Sequence, residues 1–156
     1  MTRPRDVTDN AIPSGSSLAT ELLLVLGDLF DDQAYAARAR YLLETIAEPM
    51  ARYPTAFGHA LGAADLAVRG AVEVAIAGDP DDEAFESLAS AVAGRYVPSL
   101  VLTGGRGRAV RGIALMQDRG GSEATAYVCR AYACDAPTTD PAQLTEQLKQ
   151  AALRSG

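Results

Sequence analysis

The feature that most constrains the fold is a change of hydrophobic period at Gly70. Before Gly70, apolar residues recur every three or four positions, which is the spacing of one face of an α-helix. After it, residues 71–77 read Ala-Val-Glu-Val-Ala-Ile-Ala and stop at Gly78, which indicates a short buried strand. We therefore predict a helical part over residues 1–70 and a small α/β subdomain over residues 71–156.

The helical part is predicted to contain three helices. Ser16 or Ser17 caps the first of them, a leucine-rich helix, because a serine hydroxyl can accept from the free amides of a first turn. The acidic pair at 31–32 begins the second helix, which ends near residues 49–53. Pro54 opens the third, whose apolar residues recur along one clear face.

The second part predicts a parallel strand pair. Strands at 71–77 and 97–103 flank a helix that begins at Asp79-Pro80, and a strand, helix and strand with short connections form a parallel crossover. A third strand is predicted over 124–129. Asp140-Pro141 then opens a last helix, with an aspartate cap before a first-turn proline. The predicted fold is mixed and helix-dominated, with about three strands.

Charge and hydropathy restrict the partners. The chain has 156 residues, with 20 acidic and 14 basic side chains and a formal charge of −6, which disfavours nucleic acid and anionic membrane surfaces. Its longest aliphatic run, 22–26, is far shorter than the roughly 20 residues of a membrane span. No apolar stretch follows the N-terminal arginines, so no secretory signal is predicted. We predict a cytoplasmic protein without nucleic-acid or membrane partners, cofactor or metal.

Residues 104–112 form a loop rich in glycine and arginine. Gly107 and Gly112 are spaced like the glycines of a P-loop, but Ile and Ala follow where lysine and serine or threonine must hold phosphate and magnesium. The third glycine position of a dinucleotide fingerprint holds Val110. We interpret the segment as a solvated surface loop, with an anion site as the alternative. The arginines concerned are Arg106, Arg108 and Arg111.

Cys129 and Cys134 are the two cysteines, five positions apart, whereas a thioredoxin-type pair has two residues between its cysteines. On one extended strand they would lie on opposite faces, roughly 16 Å apart, so a bridge between them requires a turn. We interpret both as structural buried thiols in a reducing compartment, because free cysteine packs as a small hydrophobic residue.

His59 is the only histidine, so any serine or cysteine hydrolase triad must use it. It lies off the apolar stripe of the third predicted helix and is interpreted as a surface residue. The sequence also contains no Gly-x-Ser-x-Gly elbow. We predict no catalytic residue in this chain.

Two separated segments together resemble one known family. Residues 9–17, Asp-Asn-Ala-Ile-Pro-Ser-Gly-Ser-Ser, resemble the Asp-Gly/Asn-Ala-x-Pro-Ser-Gly-Asn-Ser signature of the spermatogenesis-associated thioredoxin-like family. Residues 127–137, Tyr-Val-Cys-Arg-Ala-Tyr-Ala-Cys-Asp-Ala-Pro, resemble its C-terminal Tyr-Val-Cys-x-x-x-x-Cys-x-x-Pro block. The strand at 72–78 is similar as well. The resemblance runs from about Asp9 to Leu153.

The resemblance implies the C-terminal portion of a protein with a thioredoxin-like domain and a six-hairpin α/α toroid related to N-acylglucosamine 2-epimerases and glycosidases. Residues 1–70 would be the last toroid hairpins, with the α/β subdomain packed on them. Loops that feed the inner toroid helices line a central cleft, and Ser16 stands where the family has asparagine. A helix-capping turn is the alternative role for this loop. The predicted ligand or cleft contacts are Asp9, Asn10, Ser14 and Ser16.

Three functions remain open from these patterns. The first is a carbohydrate-related thioredoxin-like and toroid protein whose chemistry is encoded upstream, so that this chain holds no complete active site. The second is a non-catalytic interaction module, and the third is an anion- or nucleotide-binding α/β unit. An incomplete toroid predicts open apolar surface on the 18–30 helix, covered by the missing portion or by a second copy of the chain.

Overall fold

The computed structural model describes residues 6–106, 110–131 and 133–153. The chain divides into two compact units, Met1–Gly70 and Ala71–Gly156. The described residues form a mixed, helix-dominated fold in which the strands make one small sheet. The helices are α1 (Gly15–Phe30), α2 (Gln33–Arg52), α3 (Gly58–Arg69), α4 (Glu83–Ala93) and α5 (Pro141–Leu153), and the strands are β1 (Val72–Ala77), β2 (Leu100–Gly105), β3 (Thr125–Arg130) and β4 (Ala133–Cys134).

In the first unit, α1 packs against both α2 and α3. Its buried face is made of small and apolar residues, which lets the neighbouring helices approach closely. Asp32 caps α2 by accepting from the Ala34 amide at 2.9 Å, as the acidic pair at 31–32 predicts. The buried residues of α1 are Ser17, Thr20, Leu24 and Gly27.

Two predicted helix starts in this unit are wrong. Ser14 caps α1 instead of Ser16 or Ser17, because the Ser14 hydroxyl accepts from the Ser17 amide three residues further on, at 3.1 Å. Pro54 opens a separate 3-10 turn, Pro54–Ala56, and α3 begins only at Gly58. The chain therefore makes a short turn between α2 and α3 that the apolar period alone does not show.

The second unit contains a four-stranded mixed sheet in the order β2-β1-β3-β4. The predicted parallel pairing of β1 with β2 across α4 is confirmed, with Val72 opposite Leu100. β3 pairs antiparallel with β1 on one side and with β4 on the other. The sequence did not predict β4, because two residues are too few to show an alternating pattern.

The core of the second unit forms on one face of the sheet. All six residues of β1 are buried, so the strand is covered on both faces. Alternate residues of β1 pack with Leu88 and Val92 of α4 and with Leu144 and Leu148 of α5. The segment Ala114–Met116, one turn of 3-10 helix, packs against β1 and β2 and buries Leu115 completely.

The predicted start of α4 at Asp79-Pro80 is also wrong, since the helix begins at Glu83. Asp79 makes a turn of its own instead: its carbonyl accepts from the Asp82 amide at 3.1 Å and its carboxylate from the Asp81 amide at 3.2 Å. None of the described helices is long and apolar enough to cross a bilayer.

Gly104 gives the first testable prediction. A Cβ at this position would lie 2.9 Å from the Phe85 ring and 3.1 Å from the Ile76 carbonyl oxygen, so Gly104→Ala should destabilise the fold by about 1–3 kcal/mol. Gly120→Ala is the matched control, because no non-neighbouring atom of the described residues lies within 4 Å of the added methyl group. Urea unfolding followed by circular dichroism measures both. Equal unfolding midpoints for the two variants would contradict this packing.

Candidate functional site

The candidate site in the first unit is built on the loop of residues 9–14, here called the Asp9 loop. Asp9 ties both ends of this loop down: its own amide donates to the Ala56 carbonyl at 2.8 Å, and its Oδ1 accepts from the Ser14 amide at 2.8 Å. Asp9 and Ser14 are both buried. The loop is therefore fixed at its start and at the point where α1 begins.

The second carboxylate oxygen of Asp9 caps another helix. Asp9 Oδ2 accepts from the amides of His59 and Ala60, at 2.9 and 3.0 Å, which are free donors in the first turn of α3. Phe57, at the N-cap position of α3, has no side-chain acceptor to offer. A residue about fifty positions earlier thus supplies the negative charge that a helix N-terminus favours.

These contacts change the pKa of Asp9. Burial alone raises the pKa of a carboxyl group, but hydrogen bonds from the Ser14 and Ala60 amides, the Ser17 hydroxyl and the His59 amide lower it from 3.8 to about 2. The carboxylate is therefore ionised at neutral pH with its acceptor positions occupied by protein donors. The role of Asp9 that these contacts show is structural: it holds the loop in place.

Three of the four predicted contact residues border one open cleft of about 790 Å³. Asn10, Ser14 and Ser16 line it together with apolar side chains such as Ile12 and Leu42, whereas Asp9 does not. Ser14 is committed to the cap of α1, and its hydroxyl lies 2.8 Å from that of Ser17. Asn10 is exposed. Direct ligand contact by any of the four stays a prediction.

His59 also has a partner that the sequence did not indicate. Its Nε2 lies 2.9 Å from Oε2 of Glu21, so α3 and α1 are joined by this pair. The His59 side chain is 27% exposed and that of Glu21 48%. The predicted surface histidine is thus only partly exposed. Residues 21 and 59 are on different helices, and only packing of α1 on α3 brings them together.

The predicted anion loop is described only in part. Arg106 forms an ion pair with Asp79, and Arg111 is exposed, whereas Arg108 lies outside the described residues. The positive charge of Arg106 is therefore shared with a carboxylate. Binding of an anion by this loop stays a prediction.

The interpretation of the cysteines as free buried thiols is wrong, because Cys129 and Cys134 form a disulfide. A reversal through Ala131, with φ of 44°, lets β4 pair with β3 so that the two cysteines stand directly opposite each other. Cys129 is 3% exposed, and Cys134 is an exposed residue on the short strand. The spacing of the cysteines showed that a disulfide would require a turn between them. It did not show that such a turn forms.

Arg119 lies beside this disulfide, and the sequence analysis did not identify it. Its Nη2 donates to both sulfur atoms of the disulfide, and its guanidinium group stacks on the Tyr127 ring at 5.0 Å. Burial lowers the pKa of Arg119, while the charge of Glu73 and the neighbouring Tyr127 raise it. No motif marks a single arginine ten residues before a cysteine.

The chain is similar in sequence to spermatogenesis-associated protein 20 of three mammals. The human protein is 29% identical over 153 residues, which cover 94% of this chain and 19% of the human sequence. The proteins of Rattus norvegicus and Mus musculus are 28% and 27% identical over 158 residues, each covering 95% of this chain. No protein-family model matches the chain. No solved structure matches it significantly.

The resemblance to the spermatogenesis-associated family is therefore confirmed over nearly the whole chain. The chain spans about a fifth of the length of the curated relatives it matches. The match is consistent with the C-terminal portion that residues 9–17 and 127–137 indicate.

Asp9→Asn tests the tertiary cap. The folded-state pKa of about 2 lies below the usual 3.8, so the carboxylate stabilises the fold above about pH 4 and this contribution disappears as the pH falls through 2. We expect Asp9→Asn to lower the free energy of unfolding by about 2 kcal/mol at pH 7. The difference from the unsubstituted protein should shrink between pH 4 and pH 2 in urea unfolding.

Asp65→Asn is the matched control for this measurement. Asp65 forms an ion pair with Arg69 one turn along α3, and both side chains are nearly half exposed. Removing such a pair should change the unfolding free energy by less than about 0.5 kcal/mol. Equal losses in the two variants would show that the cap of α3 does not depend on Asp9.

Proposed function

We propose that this chain is the C-terminal portion of a larger protein in which the first unit completes an α/α toroid around a carbohydrate-related ligand. The chain contributes packing surface and part of the cleft wall, and the chemistry belongs to the remaining portion. The support is the similarity to relatives about five times as long. The helical composition of the first unit agrees with this role.

The observation that carries the proposal is the apolar stripe on the outer side of α1. Leu18 and Leu22, one turn apart, are 46% and 56% exposed, although α1 already buries its other side against α2 and α3. Val25 and Leu29 extend the stripe at helical spacing and are partly exposed. A helix that packs on one side and carries exposed leucines on the other is typical of an inner layer between other helices.

We assign this stripe to helices of the larger protein. The relatives hold about four fifths of their length outside the matched segment, so they contain the material that could cover it. Covering exposed leucines stabilises by roughly 25 cal/mol for each square ångström of apolar area removed from water. A stripe of four side chains can thus anchor neighbouring hairpins.

The Asp9 loop supplies the polar part of the proposed cleft. Asn10 and Ser16 border it with an amide and a hydroxyl group, which donate and accept hydrogen bonds as a polyhydroxylated ligand requires. Asp9 serves these residues by fixing the loop between α1 and α3. Its carboxylate is not left over for proton transfer, because its oxygens accept from the protein itself.

Light scattering and binding of a hydrophobic dye test the exposed stripe. The chain by itself should bind the dye without forming a stable dimer in light scattering, and Leu18→Ser with Leu22→Ser should reduce dye binding severalfold. Because both leucines are about half exposed, the double variant should lose no more than about 1–2 kcal/mol of unfolding free energy. Val68→Ser, at a residue that is 86% exposed on α3, is the control.

Two results would overturn this assignment. A monomer that binds no dye would show that the stripe needs no cover. A discrete, stable dimer abolished by the same two substitutions would assign the stripe to a second copy of the chain, as the interaction-module alternative requires.

A further inference from the structure

The disulfide lies beside a guanidinium group that fits its reduced form better than its oxidised form. Arg119 Nη2 is 3.2 Å from Cys129 Sγ and 3.0 Å from Cys134 Sγ. A disulfide sulfur is an uncharged, weak acceptor, so these contacts stabilise the oxidised pair little. A thiolate in the same position is a charged acceptor, and a neighbouring arginine stabilises it.

The two sulfur atoms differ in access. Cys129 lies on β3 and is 3% exposed, whereas Cys134 is exposed on β4, the last strand of the sheet. A cavity of about 250 Å³ borders both cysteines and is also lined by Ala133 and Asp135. An attacking thiolate can therefore reach Cys134 from solvent, while Cys129 is almost fully buried.

We propose that Cys129–Cys134 is a thiol–disulfide exchange site for dithiol reductants, in which the incoming thiolate attacks Cys134 and Cys129 leaves as a thiolate beside Arg119. The site belongs to the second unit and does not depend on the function proposed for the first. Its substrates are dithiols in one direction and accessible disulfides in the other.

The exchange balances in two steps. One thiolate of the reductant forms a bond to Cys134 Sγ, the Cys129–Cys134 bond breaks, and its electron pair remains on Cys129 Sγ. The second thiolate of the reductant then attacks its own sulfur in the mixed disulfide and releases Cys134. The reductant loses two electrons and two protons and becomes a disulfide. The protein gains the electrons, and the protons pass to water or to whichever cysteine becomes a thiol.

Other charged groups around the two cysteines determine how strongly Arg119 stabilises a thiolate. Glu73 on β1 is buried, stands directly opposite Cys129 and acts electrostatically on Arg119. Its carboxylate therefore competes with a thiolate for the same guanidinium group. Tyr127 stacks on Arg119 from β3. Arg130 and Asp135 border the cavity from the two sides of the hairpin.

Substitution of Arg119 and Glu73 should move thiolate formation in opposite directions. In the reduced full chain, the pH dependence of alkylation by iodoacetamide should have a midpoint clearly below the ordinary thiol pKa of about 8.5. Arg119→Gln should raise this midpoint by about one unit, a tenfold loss of thiolate at neutral pH, and Glu73→Gln should lower it. Arg119→Lys should retain most of the effect, and Arg95→Gln, at an exposed arginine, should change nothing.

The same variants should shift the exchange equilibrium. In mixtures of reduced and oxidised dithiothreitol, Arg119→Gln should need an approximately tenfold higher ratio of reduced to oxidised dithiothreitol for half reduction, which corresponds to about 30 mV for this two-electron couple. With oxidised glutathione, Cys129→Ser should form a mixed disulfide at Cys134 at least tenfold faster than Cys134→Ser forms one at Cys129. Mass spectrometry of the intact chain measures both adducts.

Three results would overturn the proposal. The first is a pKa at or above the ordinary value for the thiols of the unsubstituted chain. This measurement tests the proposal even if Arg119→Gln does not fold. Equal shifts of the alkylation midpoint in Arg119→Gln and Arg95→Gln would show that Arg119 does not stabilise a thiolate. Equal or faster reaction at Cys129 would contradict attack at Cys134.

Discussion

The first unit depends on one buried carboxylate. Asp9 connects the loop before α1 to the first turn of α3, and it does so by accepting from backbone amides that have no partner within their own helix. Because these amides donate hydrogen bonds to it, the carboxylate stays ionised although burial opposes ionisation. The contacts of Asp9 also fix the loop at its start and at Ser14, where α1 begins.

The second unit also contains a buried carboxylate, but a charged side chain rather than backbone amides lies near it. Its central strand β1 is buried along its whole length, yet it carries Glu73. A buried carboxylate is costly unless a charge or a donor compensates it, and Arg119 brings a positive charge to the same side of the sheet. The disulfide lies next to this pair of charges. The electrostatic balance of the sheet and the chemistry of the two cysteines are therefore linked through Arg119.

Local patterns predicted most of the elements. The 3.6-residue period predicted α1 to α3, and the apolar run after Gly70 predicted β1. The order of strand, helix and strand predicted the parallel pairing of β1 with its neighbour. Element boundaries were less predictable, since the start of α4 at Glu83 and the cap at Ser14 depend on which side chain reaches which amide. β4 could not be predicted, because two residues show no period.

The sequence by itself determined where the two candidate segments lie and which family they resemble. The Pro-Ser-Gly segment before a leucine-rich helix, the Cys-x-x-x-x-Cys spacing and the family resemblance are all legible in the residues. Only the tertiary structure decided that Asp9 caps α3, that Glu21 meets His59, and that Arg119 meets both cysteines. The physical reason is that these contacts join residues from different elements, and their distances depend on how helices and strands pack rather than on any local spacing.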